Sequence, residues 1–139
     1  MMKFKLDIVT PERIVWSGDV DQATLPTRQG EITVLARHVP IVSILEPGEI
    51  MIRRDKETVF MAVAGGFVQV TERQTTILAD AAERAEEIDL ERAERARERA
   101  RQLMARKTGD KVRDAEIISA FQRSLIRIKV AGRRRKHGE

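Results

Sequence analysis

Four arginines carry most of the chemistry this chain could perform. Arg92 and Arg99 stand seven apart in one Arg/Ala/Glu-rich stretch, and Arg123 and Arg127 stand four apart in the next. Other arginines of the region have acidic neighbours at helical spacing. Glu91 with Arg95, Glu94 with Arg97 and Glu98 with Arg101 are ordinary ion pairs of a helix surface. Arg123 and Arg127 have no acidic residue three or four positions away. Guanidiniums that gather without acids repel one another unless a polyanion lies among them, and phosphate oxygens suit their planar fork. Catalytic constellations are missing. There is no G-x-x-x-x-G-K-[ST] phosphate cradle, no G-x-S-x-G elbow and no H-E-x-x-H pair. The chain has no cysteine, and its two histidines, His38 and His137, lie far apart, so neither a thiolate nor a histidine metal site is expected.

The arginines must be positioned by helices. Asp89 is a candidate N-cap with Glu91 in the first turn behind it. Ala93, Ala96, Ala100 and Leu103 then recur at three- and four-residue spacing, a narrow stripe of small residues that admits a second helix closely. Thr108-Gly109-Asp110 ends this helix and caps another, in which Ile118, Phe121, Leu125 and Ile128 form one face. Two such helices joined by about four residues predict an antiparallel hairpin. Contacting positions then have a nearly constant sum of residue numbers, which sets Arg92 beside Arg127 and Arg99 beside Arg123. At about 100° per residue, however, Arg123 and Arg127 fall nearly opposite the Ile118/Phe121 stripe, so both face solvent if that stripe packs inward. With thin apolar stripes and a charged surface, the hairpin is expected to be marginal alone and able to open.

The first eighty residues follow a different pattern. Phe4, Leu6 and Ile8 alternate with Lys3, Lys5 and Asp7, the period of a half-buried strand. Further short apolar runs follow around Val15, Val20–Leu25, Ile32–Leu35, Ile41–Leu45, Ile50–Ile52, Val59–Val63, Val68–Val70 and Thr75–Leu78, broken by Pro11, Gly30, Pro47-Gly48 and Gly65-Gly66. Eight or more runs at this spacing predict a β-sandwich or small barrel, and the absence of a βαβ pattern excludes a doubly wound nucleotide fold. Trp16 alternates with the inward set. Asp19 and Asp21 share a face with no nucleophile or histidine beside them and are expected to be solvated. His38, in the turn-like segment Ala36-Arg37-His38-Val39-Pro40, is expected to be a surface or partly packed loop residue.

Charge divides at the same place as the pattern. Residues 1–80 hold nine Lys/Arg and eleven Asp/Glu, whereas residues 81–139 hold seventeen and eleven. No run approaches the roughly 18 apolar residues of a membrane span, and the chain opens directly into strand alternation rather than on a signal peptide. The sequence pI of about 9.8 and the basic end admit a nucleic-acid-binding β module. Only five aromatics, four Phe and Trp16, are available for base stacking, which counts against it.

The chain resembles the epsilon-subunit family of the rotary, proton-driven F-type ATP synthase over residues 3 to about 131. The resemblance rests on Val9-Thr10-Pro11, on Gly30-Glu31-Ile32-Thr33-Val34-Leu35 with His38 and Pro40, on Pro47-Gly48, on Gly65-Gly66-Phe67-Val68-Gln69-Val70 and on Leu78-Ala79-Asp80-Ala81-Ala82-Glu83. Ala36 departs from the family, which usually has proline there. The resemblance implies an N-terminal antiparallel β-sandwich for docking on the rotor over 1–84 and a C-terminal antiparallel two-helix regulatory hairpin over 85–132. The basic tail over 133–139 runs past the usual family end and, as a charge run, is expected to be solvated and disordered or else to add inhibitory charge.

The resemblance also implies a non-catalytic central-stalk subunit on the cytoplasmic face of the bacterial plasma membrane, peripheral and not inserted. Glu31 would lie near the membrane rotor ring and His38 near the gamma subunit. The hairpin would either fold against the sandwich or extend along gamma and block ATP hydrolysis. Extended, its basic surface (twelve Lys/Arg against four Asp/Glu over residues 101–139) would meet acidic surface on the catalytic beta subunits, with no nucleic acid involved. Ile88-Asp89-Leu90-Glu91-Arg92-Ala93 matches the I/L-D-x-x-R-A motif through which some members bind ATP as a regulatory ligand. In that case Glu83 and Arg99 also contribute, and the two second-helix arginines of those members fall on Arg123 and Arg127. Whether Mg²⁺ accompanies ATP is left open by the residues, as is a rotor role without nucleotide.

Overall fold

The computed structural model describes residues 2–106 and 108–137. The chain divides into two compact units, residues 1–84 and 85–139.

The first unit is built from ten strands: β1 (Phe4–Val9), β2 (Ile14–Val20), β3 (Gln22–Thr27), β4 (Gly30–Val34), β5 (Ile41–Leu45), β6 (Gly48–Arg54), β7 (Glu57–Val63), β8 (Gly66–Val70), β9 (Gln74–Ala79) and β10 (Ala82–Arg84). Hydrogen-bonded neighbours run β10-β7-β6-β3-β5-β8-β9-β1-β2, with β4 on the side of β3. β3 and β5 meet only at Thr27 and Leu45, a corner that turns one layer into the other and makes the sheet a sandwich. Every pairing is antiparallel except β1 with β9. Alternation fills the interior. Leu6, Ile8, Leu25, Leu45, Ile50, Ile52, Met61 and Ile77 are fully shielded, and Val34, Val68 and Val70 join them. Burying a Val, Leu, Ile or Met side chain contributes about 1.5–3 kcal/mol, so this core is ample for an independent domain.

Two local features depart from plain alternation. Gly66, at φ 140°, lies so close to the next strand that a Cβ there would stand 2.0 Å from the carbonyl oxygen of Leu78. Only glycine fits. In β2, Ile8 pairs with Trp16 and Val9 with Ile14, so Val15 is the extra residue of a bulge. The Val15 carbonyl accepts from Arg84 Nη2 at 2.9 Å, and the Arg84 guanidinium also lies 5.2 Å from the Trp16 ring centre. Arg54 covers the same ring at 5.0 Å, and Trp16 is buried. β10, the last strand of the unit, is thus tied to β7 by its backbone and to β2 by Arg84.

Asp21 corrects the expectation of a solvated pair. Asp19 is exposed, but Asp21 is buried and accepts from the Asp55 amide at 2.6 Å and from Lys3 Nζ at 3.3 Å. Those donors, the Asp55 amide foremost, lower its pKa below the ordinary value. Asp55 itself stands at φ 55°, in the left-handed region that aspartate tolerates, and its carboxylate raises the pKa of Lys3.

In the second unit a 3₁₀ turn (Ala85–Glu87) leads to α1 (Leu90–Met104) and α2 (Lys111–His137), so five of the residues expected as a disordered tail, 133–137, continue α2. Gly109, at φ 82°, lies in the connection between the two helices. Asp110 Oδ1 accepts from the amides of Val112 and Arg113, capping α2.

Candidate functional site

The N-terminus of α1 is fixed by Asp89. Its backbone is extended (φ −82°, ψ 100°), its carboxylate accepts from the Arg92 amide at 3.1 Å, and its carbonyl accepts from the Ala93 amide at 3.0 Å. Ile88 and Ala93 are buried. Three of the motif residues therefore serve local architecture, as apolar anchor, cap and helix contact. Arg92 is left outside, exposed. The same holds for Arg99, and neither makes an ion pair among the described residues. Acids and bases elsewhere on α1 satisfy one another. Glu98 holds Arg101 at 2.6 Å, which lowers the glutamate pKa and raises the arginine's, and Glu91 meets Arg95 at 3.9 Å.

On α2 the packed face differs from the expected one. Ile118 and Leu125 are 45% and 42% exposed, so of the expected Ile118/Phe121/Leu125/Ile128 stripe only Phe121 and Ile128 lie on the shielded side. Ile117, Phe121, Ser124, Ile128 and Ala131, alternating three and four apart, are shielded or half-shielded, and Val130, off this stripe, is fully buried as well. The physical reason is the partner. α1 presents Ala93, Ala96 and Ala100, and a smooth alanine face lets the helix opposite bring small residues close. Ser124 can be buried because its hydroxyl donates to the Phe121 carbonyl at 2.6 Å.

That rotation changes the place of the arginines. At about 100° per residue, Arg92 and Arg99 lie roughly 100–120° to one side of the buried alanines of α1. Arg127 and Arg123 lie about 70° and 110° from the packed stripe of α2, in the same rotational sense. In an antiparallel pair, the same sense on both helices means the same side of the hairpin. Arg127 is half-buried and engaged, and Arg123 is exposed. Glu83 belongs to β10, in the other unit. Beyond Arg123, an open hollow of about 660 Å³ follows the outer face of α2 past Ser119, Ala115 and Lys111; neither Arg92 nor Arg99 lines it.

The sandwich carries a second candidate surface that the sequence did not announce. Ile44 pairs with Phe67, Phe67 with Leu78, Leu78 with Val9, and Val9 with Ile14. All five point outward, forming one apolar row across five strands, with Ile14 66%, Phe67 59% and Leu78 55% exposed. A contiguous apolar row rimmed by polar residues is the usual mark of a protein contact. The rim is the next row, where Asp7 accepts from Ser17 Oγ at 2.6 Å and from Gln74 Nε2 at 3.0 Å. Cross-strand register brings these residues together, and register was the one signal the alternation could not supply.

Glu31 and His38 stand at opposite ends of β4. Glu31 is exposed beside the β3–β4 turn and pairs with Pro26. His38 follows the far end of the strand, half-buried, its Nδ1 2.7 Å from the Val39 carbonyl, between the exposed Leu35 and Val39. Among the described residues no group of three or more His, Asp or Glu could hold a metal ion, and no helix is long and apolar enough to cross a membrane.

Two family models match the chain in succession. The model described as "ATP synthase, Delta/Epsilon chain, beta-sandwich domain" covers residues 3–85, and "ATP synthase, Delta/Epsilon chain, long alpha-helix domain" covers residues 86–132. An ATP synthase epsilon chain of Dehalococcoides mccartyi is 43% identical over 137 residues, 99% of this chain and 98% of the relative. That of Herpetosiphon aurantiacus is 42% identical over 96% of this chain and 98% of its own length. That of Chloroflexus aggregans is 50% identical over 69% of each. Among solved structures, a chain of the Euglena gracilis mitochondrial ATP synthase OSCP/F1/c-ring assembly superposes with a TM-score of 0.76 at 25% identity, covering 86% of this chain and 76% of that one. A chain of the Tetrahymena thermophila mitochondrial ATP synthase central stalk and c-ring (TM-score 0.54, 18% identity, 63% of this chain and 70% of that one) shares the fold.

Proposed function

The chain belongs to the epsilon-chain family of bacterial F-type ATP synthases, and from that premise we propose a coupling and gating subunit that carries out no chemistry itself. The sandwich docks on the central stalk through the row Ile44–Phe67–Leu78–Val9–Ile14, with the His38 loop on the gamma subunit and Glu31 on the membrane rotor ring. The complex sits at the cytoplasmic face of the plasma membrane, joined to proton transport through that ring. The hairpin is the gate. Extended, its basic helices meet acidic surface on the catalytic beta subunits and stop ATP hydrolysis.

ATP is the ligand that keeps the hairpin folded. What supports this reading is the helical spacing, by which Arg92 and Arg99 of α1 turn toward the same side of the hairpin as Arg123 and Arg127 of α2. A triphosphate there draws the two helices together through charge-assisted, bidentate contacts. Asp89 holds the α1 end in place. Binding to the folded state alone favours it by RT ln(1 + [ATP]/Kd), about 2.7 kcal/mol at a hundredfold excess over Kd. A hairpin joined by alanines can be governed by an energy of that size. As ATP falls, the arm is released and wasteful hydrolysis ends.

Calorimetric titration of ATP into the intact chain, with and without Mg²⁺, tests this directly. Binding that Arg92→Ala and Arg127→Ala each weaken about tenfold or more is the expected result, the scale of one lost charged hydrogen bond. Absence of binding at millimolar ATP would remove the nucleotide from the account and leave a stalk subunit whose arm answers to rotation alone.

A further inference from the structure

The turn between β3 and β4 is tied down beyond what closing a hairpin requires. Thr27, buried at its start, donates from Oγ1 to the Gly30 carbonyl at 2.7 Å. The Arg28 amide donates to the Ile44 carbonyl at 2.9 Å, and the Glu46 amide donates to the Pro26 carbonyl at 2.8 Å. Those bonds lash the turn to β5. Two side-chain tethers add to them. Arg28 Nε lies 3.4 Å from Glu46 Oε1, and the buried Ser43 hydroxyl donates to Gln29 Oε1. An exposed turn glutamine would ordinarily spend its amide on water; this one turns its oxygen onto a buried strand residue. On the other flank, a Cβ at Gly48 would meet the Pro26 ring at 3.0 and 3.1 Å, so β6 also backs the strand that leads into the turn.

Glu31 is the first residue past Gly30, exposed and paired with Pro26. The turn that precedes it is therefore held by β5, and the strand it pairs with is backed by β6. We propose that Gln29 with Ser43, and Arg28 with Glu46, are positioning residues for the contact that Glu31 makes with the rotor ring. They fix where the carboxylate stands on the sandwich, so that force applied to it reaches the whole sheet instead of bending a turn. The exposed carboxylate they hold suits a partner surface offering amide or cationic donors. This inference rests on the rotor-ring reading of Glu31, and its test separates the two.

The test uses the assembled, membrane-bound complex in inverted vesicles and reads protons pumped per ATP hydrolysed. Glu31→Ala is the reference. Ser43→Ala and Gln29→Ala are expected to lower the ratio in the same direction as Glu31→Ala and by no more than Glu31→Ala does. Gln29→Glu, which keeps an acceptor oxygen for Ser43, is expected to restore it. Because the tethers act through Glu31, Ser43→Ala should add nothing to Glu31→Ala in the double variant. An unchanged ratio in Ser43→Ala and Gln29→Ala while Glu31→Ala lowers it would overturn the positioning role, as would full additivity in the double variant. No effect of Glu31→Ala would overturn the contact itself and this inference with it. Unchanged thermal unfolding of the Ser43→Ala and Gln29→Ala chains separates positioning from loss of fold.

Discussion

The two units are held together by different side chains. The sandwich shields Leu6, Leu25, Ile50, Ile52 and Ile77, each worth about 1.5–3 kcal/mol when buried. The hairpin unit shields mostly small residues, Ala85, Ala93, Ala100, Ala131 and Ser124, where a methyl group contributes closer to about 0.8 kcal/mol, with Ile88 and Val130 as its larger buried side chains. One unit is built to keep its shape under load. The other is built to lie near a balance that a ligand can tip. A coupling subunit needs both properties, and the division of large and small residues supplies them in one chain.

Core truncation should widen that difference most. Ile52→Ala is expected to cost the sandwich about 2–5 kcal/mol in denaturant unfolding, since no neighbour can fill the space. If it cost less than 1 kcal/mol, roughly a surface value, the sandwich would not be the rigid member. Gly66→Ala ranks next. The positive φ alone costs about 1–3 kcal/mol, and the clash with the Leu78 carbonyl adds to it, so a large fall in the sandwich's melting temperature is expected.

On the hairpin side, Ala100→Leu forces a branched side chain into a close helix contact. It should lower hairpin stability by about 1–3 kcal/mol, seen as faster proteolysis after residue 85 while the sandwich stays resistant. Asp89→Ala removes the cap and is expected to cost about 1 kcal/mol, read as a smaller helical signal in circular dichroism. An effect on sandwich unfolding as large as that on helicity would erase the distinction between the units.

The smallest effect is one of pH. The folded pKa of Asp21 lies below its ordinary value of 3.8, so its contribution is complete above that value and fades as pH falls through the lowered one. Asp21→Asn should therefore flatten the loss of sandwich stability in acid below about pH 4 and leave the hairpin unchanged.

Much of this contrast was legible before any coordinates. Alternation placed the strands, Asp89 and Asp110 marked the helix starts, and the stripe of α1 packs as read at its alanines but not at Leu103, which is 37% exposed. Three things were hidden, each for a physical reason. Ser124 reads as polar, so the inward face of α2 was drawn through Leu125 instead; burial of the serine depends on a hydroxyl bond to its own helix. Asp21 reads as solvated because its donors come from Lys3 and Asp55, remote in sequence. The row Val9–Ile14–Ile44–Phe67–Leu78 draws on five strands, and only the register among them makes it one surface. The arginines show the reverse. The lack of acidic neighbours around Arg123 and Arg127 was visible in the sequence, while the side they take depends on the packed face of α2.

Trp16 lies between Arg54 and Arg84, where the last strand of the sandwich is fastened. The chain contains one tryptophan and no tyrosine. Light absorbed in the near ultraviolet is therefore re-emitted almost wholly from a single ring, at the strand from which the arm departs. Its colour and its access to a quencher gauge that anchorage with no label attached. The molecule has, in effect, a lamp at its own shoulder.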